Sequence, residues 1–373
     1  MKQSTQRVAV VSSAQTQLRE AWSGQQHVDL ITDAVTRALL GTGLTMADVG
    51  VVIDCGSDVL DGRSISNCGF LGAMGAHHKE ESRVEEDGLF GAIYAATKVA
   101  SGAVSVALVI AYSKPSESIV ENYYATIAEP FYQRPVGLNK RTSAGLMASQ
   151  YLAASHADEA DLALIASHDW KRGSANSFVE GASDYSVDDV LASALVADPL
   201  RELELSRPVD GAVAVVLAAE PIARKLSDAP VWITGMGSSM ESQFMAERAP
   251  GELEACAVAA KTAYRRAGIS DARSIDLAEV SATSVAGEAM VVEALGIAER
   301  GRAGAAYADG SIDINPSGGA IPADPIMATG LVRLHEAALR LSGRAGESTA
   351  ERAVVHGAGG LGMQTHSVFT LEV

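Results

Sequence analysis

The chain carries one run of elements twice, and no other feature of its 373 residues limits the fold as much. Ala34-x-x-x-Ala38-Leu39-x-x-Thr42-Gly43-Leu44-Thr45-x-Ala47, followed by Val51-Val52-Ile53-Asp54, is matched by Ala259-x-x-x-Ala263-Tyr264-x-x-Ala267-Gly268-Ile269-Ser270-x-Ala272, followed by Asp276-Leu277-Ala278-Glu279. The offset is 225 positions throughout. Each copy reads as a helix, a glycine C-cap, a short loop and a buried strand. The flanks repeat as well: residues 7–12 answer to 230–235 as the strand opening each half, and residues 106–110 to 352–356 as the strand closing it. Ordered agreement of several elements is hard to obtain from alanine-rich helices by chance. The reading is therefore two similar α/β halves, residues 1–225 and 226–373.

Composition agrees with that class. The chain is 47% apolar and 20% charged, enough to bury a large core. Thirty-five glycines and 5% aromatics point to close-packed α/β layers rather than a β-sandwich. Against 29 basic residues stand 46 acidic ones, and the formal charge of −17 argues against nucleic acid or anionic lipid as the main partner. Cys55, Cys68 and Cys256 are odd in number and lack metal-like spacing, so no metal site is indicated and a reduced, cytoplasmic protein is expected. The leading residues 1–7 run straight into a strand-like segment without an apolar h-region. No stretch of about 18 apolar residues follows, so neither secretion nor a membrane span is supported.

An insertion, residues 113–200, interrupts the first half with helix-like stretches at 144–153 and 159–168. It returns through Arg207-Pro208-Val209-Asp210-Gly211 and a continuous apolar strand, residues 212–217. Late in the chain, residues 315–330 read Asn-Pro-Ser-Gly-Gly-Ala-Ile-Pro-Ala-Asp-Pro-Ile-Met-Ala-Thr-Gly. This closely resembles the thiolase stretch N-x-S-G-G-x-x-x-x-H-P-x-G-x-[ST]-G, with Asp324 where thiolases place a catalytic histidine and Met327 in place of a glycine. The resemblance spans nearly the whole chain. It implies the thiolase fold, two similar βαβ halves in a five-layer α-β-α-β-α arrangement with an inserted loop domain. The S-x-P-x-D-G-A-x-A-[VL]-x-L pattern, here residues 206–217, is similar to the sterol-carrier and lipid-transfer-protein branch, whose members often work beside a small DUF35-type protein with an OB-fold and zinc ribbon.

Carried over one at a time, the family's catalytic positions are all altered. Counting back from Ser101-Gly102 puts Gly88 on the glycine of the nucleophile motif C-x-S-G, and Glu85 on its cysteine. No thiol is then available for an acyl-enzyme. The plain reading of Glu85-Glu86-Asp87 is an acidic helix start with Asp87 as N-cap; the sharper one points Glu85 into the acyl pocket as a general base or thiolate mimic. Ser281 takes the place of the residue that helps build the oxyanion hole, while Ser284 caps the helix that follows. His356 takes the place of the late C-x-G cysteine, either as a satisfied core histidine or, paired with Asp324, as a general base. Two carboxylates in one closed pocket would repel and raise a pKa. Cys68, in a loop-like stretch, and Cys55 are weaker substitutes for the nucleophile, since neither starts a helix.

A coenzyme A thioester is the expected ligand, with no permanently bound cofactor. Its anionic end calls for a local basic patch, for which Lys171 and Arg172 are the first candidates and Lys140 and Arg141 the alternative. Ser317, Gly318 and Gly319 of the long motif, and Gly359 and Gly360 after His356, are expected to let backbone approach that ligand. Three functions stay open: a thiolase-like subunit that supports a catalytic thiolase or DUF35-type partner, a cysteine-independent retro-aldol or retro-Claisen lyase, and a thioester-binding protein without turnover. A homo- or heterodimer with another thiolase-like chain is expected through the strand at 106–110.

Overall fold

The computed structural model describes residues 6–40, 42–345 and 348–373. The leader at residues 1–5, read above as lacking an h-region, lies outside the described residues. In chain order the first half holds β1 (Val8–Gln15), α1 (His27–Leu39), β2 (Val51–Cys55), β3 (Glu80–Val84), α2 (Gly88–Ala100) and β4 (Val106–Ser113). Then come α3 (Val120–Ile127), α4 (Lys140–Ala154), α5 (Glu159–Ala175), α6 (Val187–Ala192), the small hairpin β5 (Leu195–Ala197) and β6 (Leu200–Arg201), β7 (Gly211–Ala219) and α7 (Glu220–Leu226). The second half is β8 (Val231–Met240), α8 (Glu254–Ala267), β9 (Leu277–Glu279), α9 (Val285–Ala294), α10 (Ala303–Asp309), β10 (Asp313–Ile314), α11 (Thr329–Leu341), β11 (Arg352–Gly359) and β12 (Thr365–Glu372).

The repeat is visible in strand order. One half-sheet runs β3-β2-β4-β7-β1 and the other β10-β9-β11-β12-β8, and β1 pairs with β8 so that all ten strands form one sheet. In each half the strand after the first helix pairs parallel with the closing strand, β2 with β4 and β9 with β11. The glycine C-cap differs between the copies. Gly268 ends α8 in the left-handed conformation, whereas α1 stops at Leu39 and Gly43 serves the following turn.

Three apolar clusters define the layers. One packs α1 on the outside of the first half-sheet, a second packs α8, α9, α4 and α5 on the outside of the other, and a third holds α2 and α11 between the two half-sheets. This is an α/β thiolase fold with α-β-α-β-α layering. The middle layer is tight because α2 is built from small residues: a methyl at Gly88 would stand 2.7 Å from the β-carbons of both Ala111 and Leu331. Neighbours that close must move, so this residue fixes how near α2 lies to α11.

One expectation fails here. The strand at 106–110, expected to form the dimer contact, is β4, and it lies inside the sheet between β2 and β7 with all eight residues buried. An uninterrupted apolar run marks a strand covered on both faces, not an edge. The free edge of this half is β3, whose Glu80-Glu81-Ser82-Arg83-Val84 is partly exposed.

Candidate functional site

A cleft opens where the two halves meet, walled by the N-terminal end of α2, the loop after β9, the loop before α11 and the glycine turn between β11 and β12. Its lining includes Glu86, Asp87, Tyr123, Tyr124, Ser281 and Asp324, with Gly359 and Gly360 opposite, and its volume is about 30 Å³. None of Cys55, Cys68 and Cys256 lines it.

Two of the four expected catalytic side chains reach this cleft and two do not. Ser281 does, with its hydroxyl donating to the His356 carbonyl at 3.2 Å. Asp324 does, but its carboxylate is fully engaged. Oδ2 accepts from Ser206 Oγ at 2.6 Å and Lys140 Nζ at 3.4 Å, and Oδ1 accepts from Thr329 Oγ1 at 2.6 Å. Glu85 instead points outward, where it meets Arg83 at 3.2 Å and accepts from the Asp58 amide at 2.7 Å. The carboxyl that enters the cleft is its neighbour Glu86. His356 faces away from the cleft, buried under α8 with Nε2 3.0 Å from His366 Nδ1, so the Asp324–His356 pair does not form.

The acids of the cleft differ in what surrounds them. Glu86 lies beside the Thr365 hydroxyl and its nearest amide is that of Asp87; burial pushes its pKa up. Asp87 is the N-cap of α2, accepting from the Leu89 amide at 3.0 Å, and also accepts from the Gly330 amide of α11 at 2.8 Å. Burial raises it to about 7 against the pull of those two amides. Gly359 makes room for this arrangement, because a β-carbon there would land on Glu86 Oε1. The Tyr123 phenol, its hydroxyl 3.5 Å from Met327 Sδ, has its pKa raised by burial and stays a neutral donor.

Beyond Tyr124 lies a larger groove of about 700 Å³, lined by Lys140, Arg141, Trp170 and Tyr185 of the segment before β6 and by Leu205 and Arg207 after it, among others. Tyr124 belongs to both cavities, and Lys140 bridges them through its bond to Asp324. The cations that line the groove are Lys140, Arg141 and Arg207, and the acids Glu121 and Glu202 line it with them. Lys171 and Arg172, the first candidates, are exposed on α5; Arg172 pairs with Asp313 at 3.0 Å, and neither lines the groove. Ser317, Gly318 and Gly319 are also away from both cavities. Ser317 is buried against Glu279 at 2.7 Å and Arg333, and the two glycines adopt positive φ where the loop presses on α5. Sequence reasoning missed Glu86, Tyr123 and Tyr124. Only the first had a signal, its place one residue from the counted position.

Among the described residues one group has the make-up of a metal site, Cys256 with His356 and His366, behind the glycine turn.

The thiolase C-terminal domain-like family matches residues 237–372. Over 95% of this chain and 97% of its own length, the acetyl-CoA acetyltransferase of Methanothermobacter thermautotrophicus is 27% identical. Sterol carrier protein 2 of Oryctolagus cuniculus is 30% identical over 52% of this chain and 38% of that protein. The 17-hydroxy-3-oxo-4-pregnene-20-carboxyl-CoA lyase of Mycobacterium tuberculosis is 25% identical over 80% of this chain and 81% of its own. Among solved structures, the Ltp2-ChsH2(DUF35) aldolase superposes with a TM-score of 0.81 over 98% of both chains at 22% identity, a likeness of fold. By fold, by motif and by these relatives, the chain belongs to the thiolase superfamily, in its sterol-carrier-protein-2 thiolase-like branch.

Proposed function

We propose that this chain is a cysteine-independent carbon–carbon lyase acting on a β-hydroxyacyl thioester of coenzyme A. The observation that carries the reading is the cleft itself, into which the half-buried carboxyl of Glu86 projects with its pKa pushed up by burial. The 700 Å³ groove with Lys140, Arg141 and Arg207 supports the thioester ligand, its cations meeting the phosphates and its apolar wall the pantetheine arm.

The chemistry is a retro-aldol cleavage. Glu86, as carboxylate, takes the proton of the β-hydroxyl; the O–H electron pair becomes the new carbonyl π bond as the Cα–Cβ bond breaks. The released pair moves into a thioester enolate, toward which the Ser281 hydroxyl and the Tyr123 phenol can turn their protons. Glu86 then returns the proton to Cα, leaving acyl-CoA and a free aldehyde or ketone without any redox change. The lyase among the relatives and the aldolase among the structural neighbours support this class. That neighbour's DUF35 component supports a similar small OB-fold and zinc-ribbon partner for this chain. Pairing with a second thiolase-like chain is proposed through the free edge of β3, and a cytoplasmic setting agrees with three free cysteines. Domain limits near residues 225 and 113–200 remain part of the proposal.

One observation favours a second reading, a supporting subunit without turnover: at about 30 Å³ the cleft has room for little more than a water. Incubation with β-hydroxyacyl-CoA substrates, following free acyl-CoA by chromatography, decides between them. Glu86→Gln should lose about 10²- to 10⁴-fold in turnover, and Glu85→Gln should match the parent. Full activity in Glu86→Gln would sink the mechanism. Thioester binding without any cleavage by the parent chain would leave the supporting role.

A further inference from the structure

Behind the glycine turn, α8, β11 and β12 bring three ligating side chains together in an apolar core. Cys256 from the first turn of α8, His356 and His366 present atoms that all lie within 4.8 Å of one another, each residue buried. Strand pairing explains the meeting. His356 stands opposite Val368 and His366 opposite Ala358, so the two imidazoles are diagonal neighbours on the sheet face that α8 covers.

Their surroundings offer little else to bond. Val354, Val368, Met363 and Ala259 pack in the same cluster, and His356 Nδ1 and His366 Nε2 have no hydrogen-bond partner. The backbone of Ser281 lies beside His356 and that of Met363 beside His366, and the two nitrogens that face each other are the ones a cation would take. Burial keeps both rings neutral, His366 down at about 3 and His356 well below its ordinary value, so neither brings a charge to the group; a cation would replace the proton between the facing nitrogens, which moves to the outer nitrogen of its own ring.

We propose that Cys256, His356 and His366 form a structural site for a thiophilic d¹⁰ cation, Zn²⁺ or Cu⁺. Two nitrogens bound at about 2.0 Å in a tetrahedral site sit about 3.3 Å apart. The facing nitrogens here are 3.0 Å apart, and the thiol lies within 4.8 Å of the imidazole nitrogens of the group. Loading displaces the thiol proton to solvent, since the thiolate is the ligand. With Cu⁺ the three-ligand set is neutral; with Zn²⁺ it keeps one positive charge near Arg248, whose guanidinium already bears on His366. The cation would clamp the strand ends that carry Gly359 and Gly360, and with them one wall of the cleft.

The test uses the full chain, first assayed for metal as purified, then stripped with a chelator and titrated in separate arms with Zn²⁺ and, under anaerobic reducing conditions, Cu⁺. Co²⁺ serves as a spectroscopic probe. One equivalent per chain should bind in at least one arm and raise the melting temperature, and Co²⁺ should give a thiolate charge-transfer band in the near ultraviolet. Cys256→Ser should abolish that band, and His366→Gln should weaken binding at least about a hundredfold, with far-ultraviolet circular dichroism unchanged in each. No stoichiometric uptake by the parent chain in either arm and no cobalt band would overturn the proposal and leave a hydrogen-bonded pair of imidazoles. Unaltered affinity in both variants would overturn it equally, and the parent measurements stand even if a variant fails to fold.

Discussion

Asp87 ties the N-terminus of α2 to the first turn of α11, and replacing it with asparagine should give a loss of stability that depends on pH in a defined direction. In the folded chain its pKa is raised from 3.8 to about 7 by burial. A carboxyl raised in this way binds its proton more tightly when folded, so its contribution is fullest at low pH and is lost as pH rises through about 7. Between about pH 5.5 and pH 8 the loss is about 2 kcal/mol, from a folded pKa near 7 and an unfolded group that is ionised throughout. Asparagine stays neutral, but its single side-chain oxygen serves either the Leu89 or the Gly330 amide, not both. One buried amide then goes unpaired at about 1–3 kcal/mol. Asp87→Asn should therefore be destabilised by that amount at the lower pH and by about 2 kcal/mol less at the higher one. Urea unfolding followed by circular dichroism, with parent and variant side by side at both pH values, reads the difference directly. An equal penalty at the two values would show that the carboxyl is not desolvated, and the electrostatic account of the cleft would fall with it.

Two further substitutions probe the same region. Gly330→Ala places a methyl on Asp87 Oδ1 and 3.0 Å from the Gly357 Cα, so α11 must shift; the expected loss is about 1–3 kcal/mol, read as a lower melting temperature. Lys140→Met removes the groove's bridge to Asp324 and a cation lining the larger cavity. Coenzyme A affinity by calorimetry should fall by about tenfold or more, and an unchanged affinity would remove Lys140 from the ligand's path.

The two-half fold was legible because duplication needs no knowledge of contacts: a helix, a loop and a strand recurring at a fixed offset can only bury similar faces. The helices of the insertion were readable too, with α4 at Lys140–Ala154 and α5 at Glu159–Ala175 covering the expected stretches. The polar edge was not. Glu80–Val84 has no apolar alternation to announce a strand, while the apolar run of β4 looked available for pairing because sequence does not show that both its faces are already covered.

The site failed on parity. Aligning on glycines locates the backbone, but in extended chain successive side chains point to opposite sides, so an error of one residue reverses the answer. Glu85 lies on the side of Arg83, two residues before it, and pairs with it; Glu86 takes the other side and the cleft. His356 behaves the same way, since Val355 packs in the middle layer and Val354 under α8, and His356 follows Val354 outward. Asp324 lines the cleft, but its three donors are not visible in a motif. A carboxylate with both oxygens occupied takes a substrate proton only by giving up charged hydrogen bonds of about 1.5–3 kcal/mol each. Glu86 holds only the amide next door and a hydroxyl beside it. Of the two acids, the one in place of the family's histidine is tied to the groove through Lys140, and the one that no motif singled out carries fewer bonds and is the one proposed to move the proton.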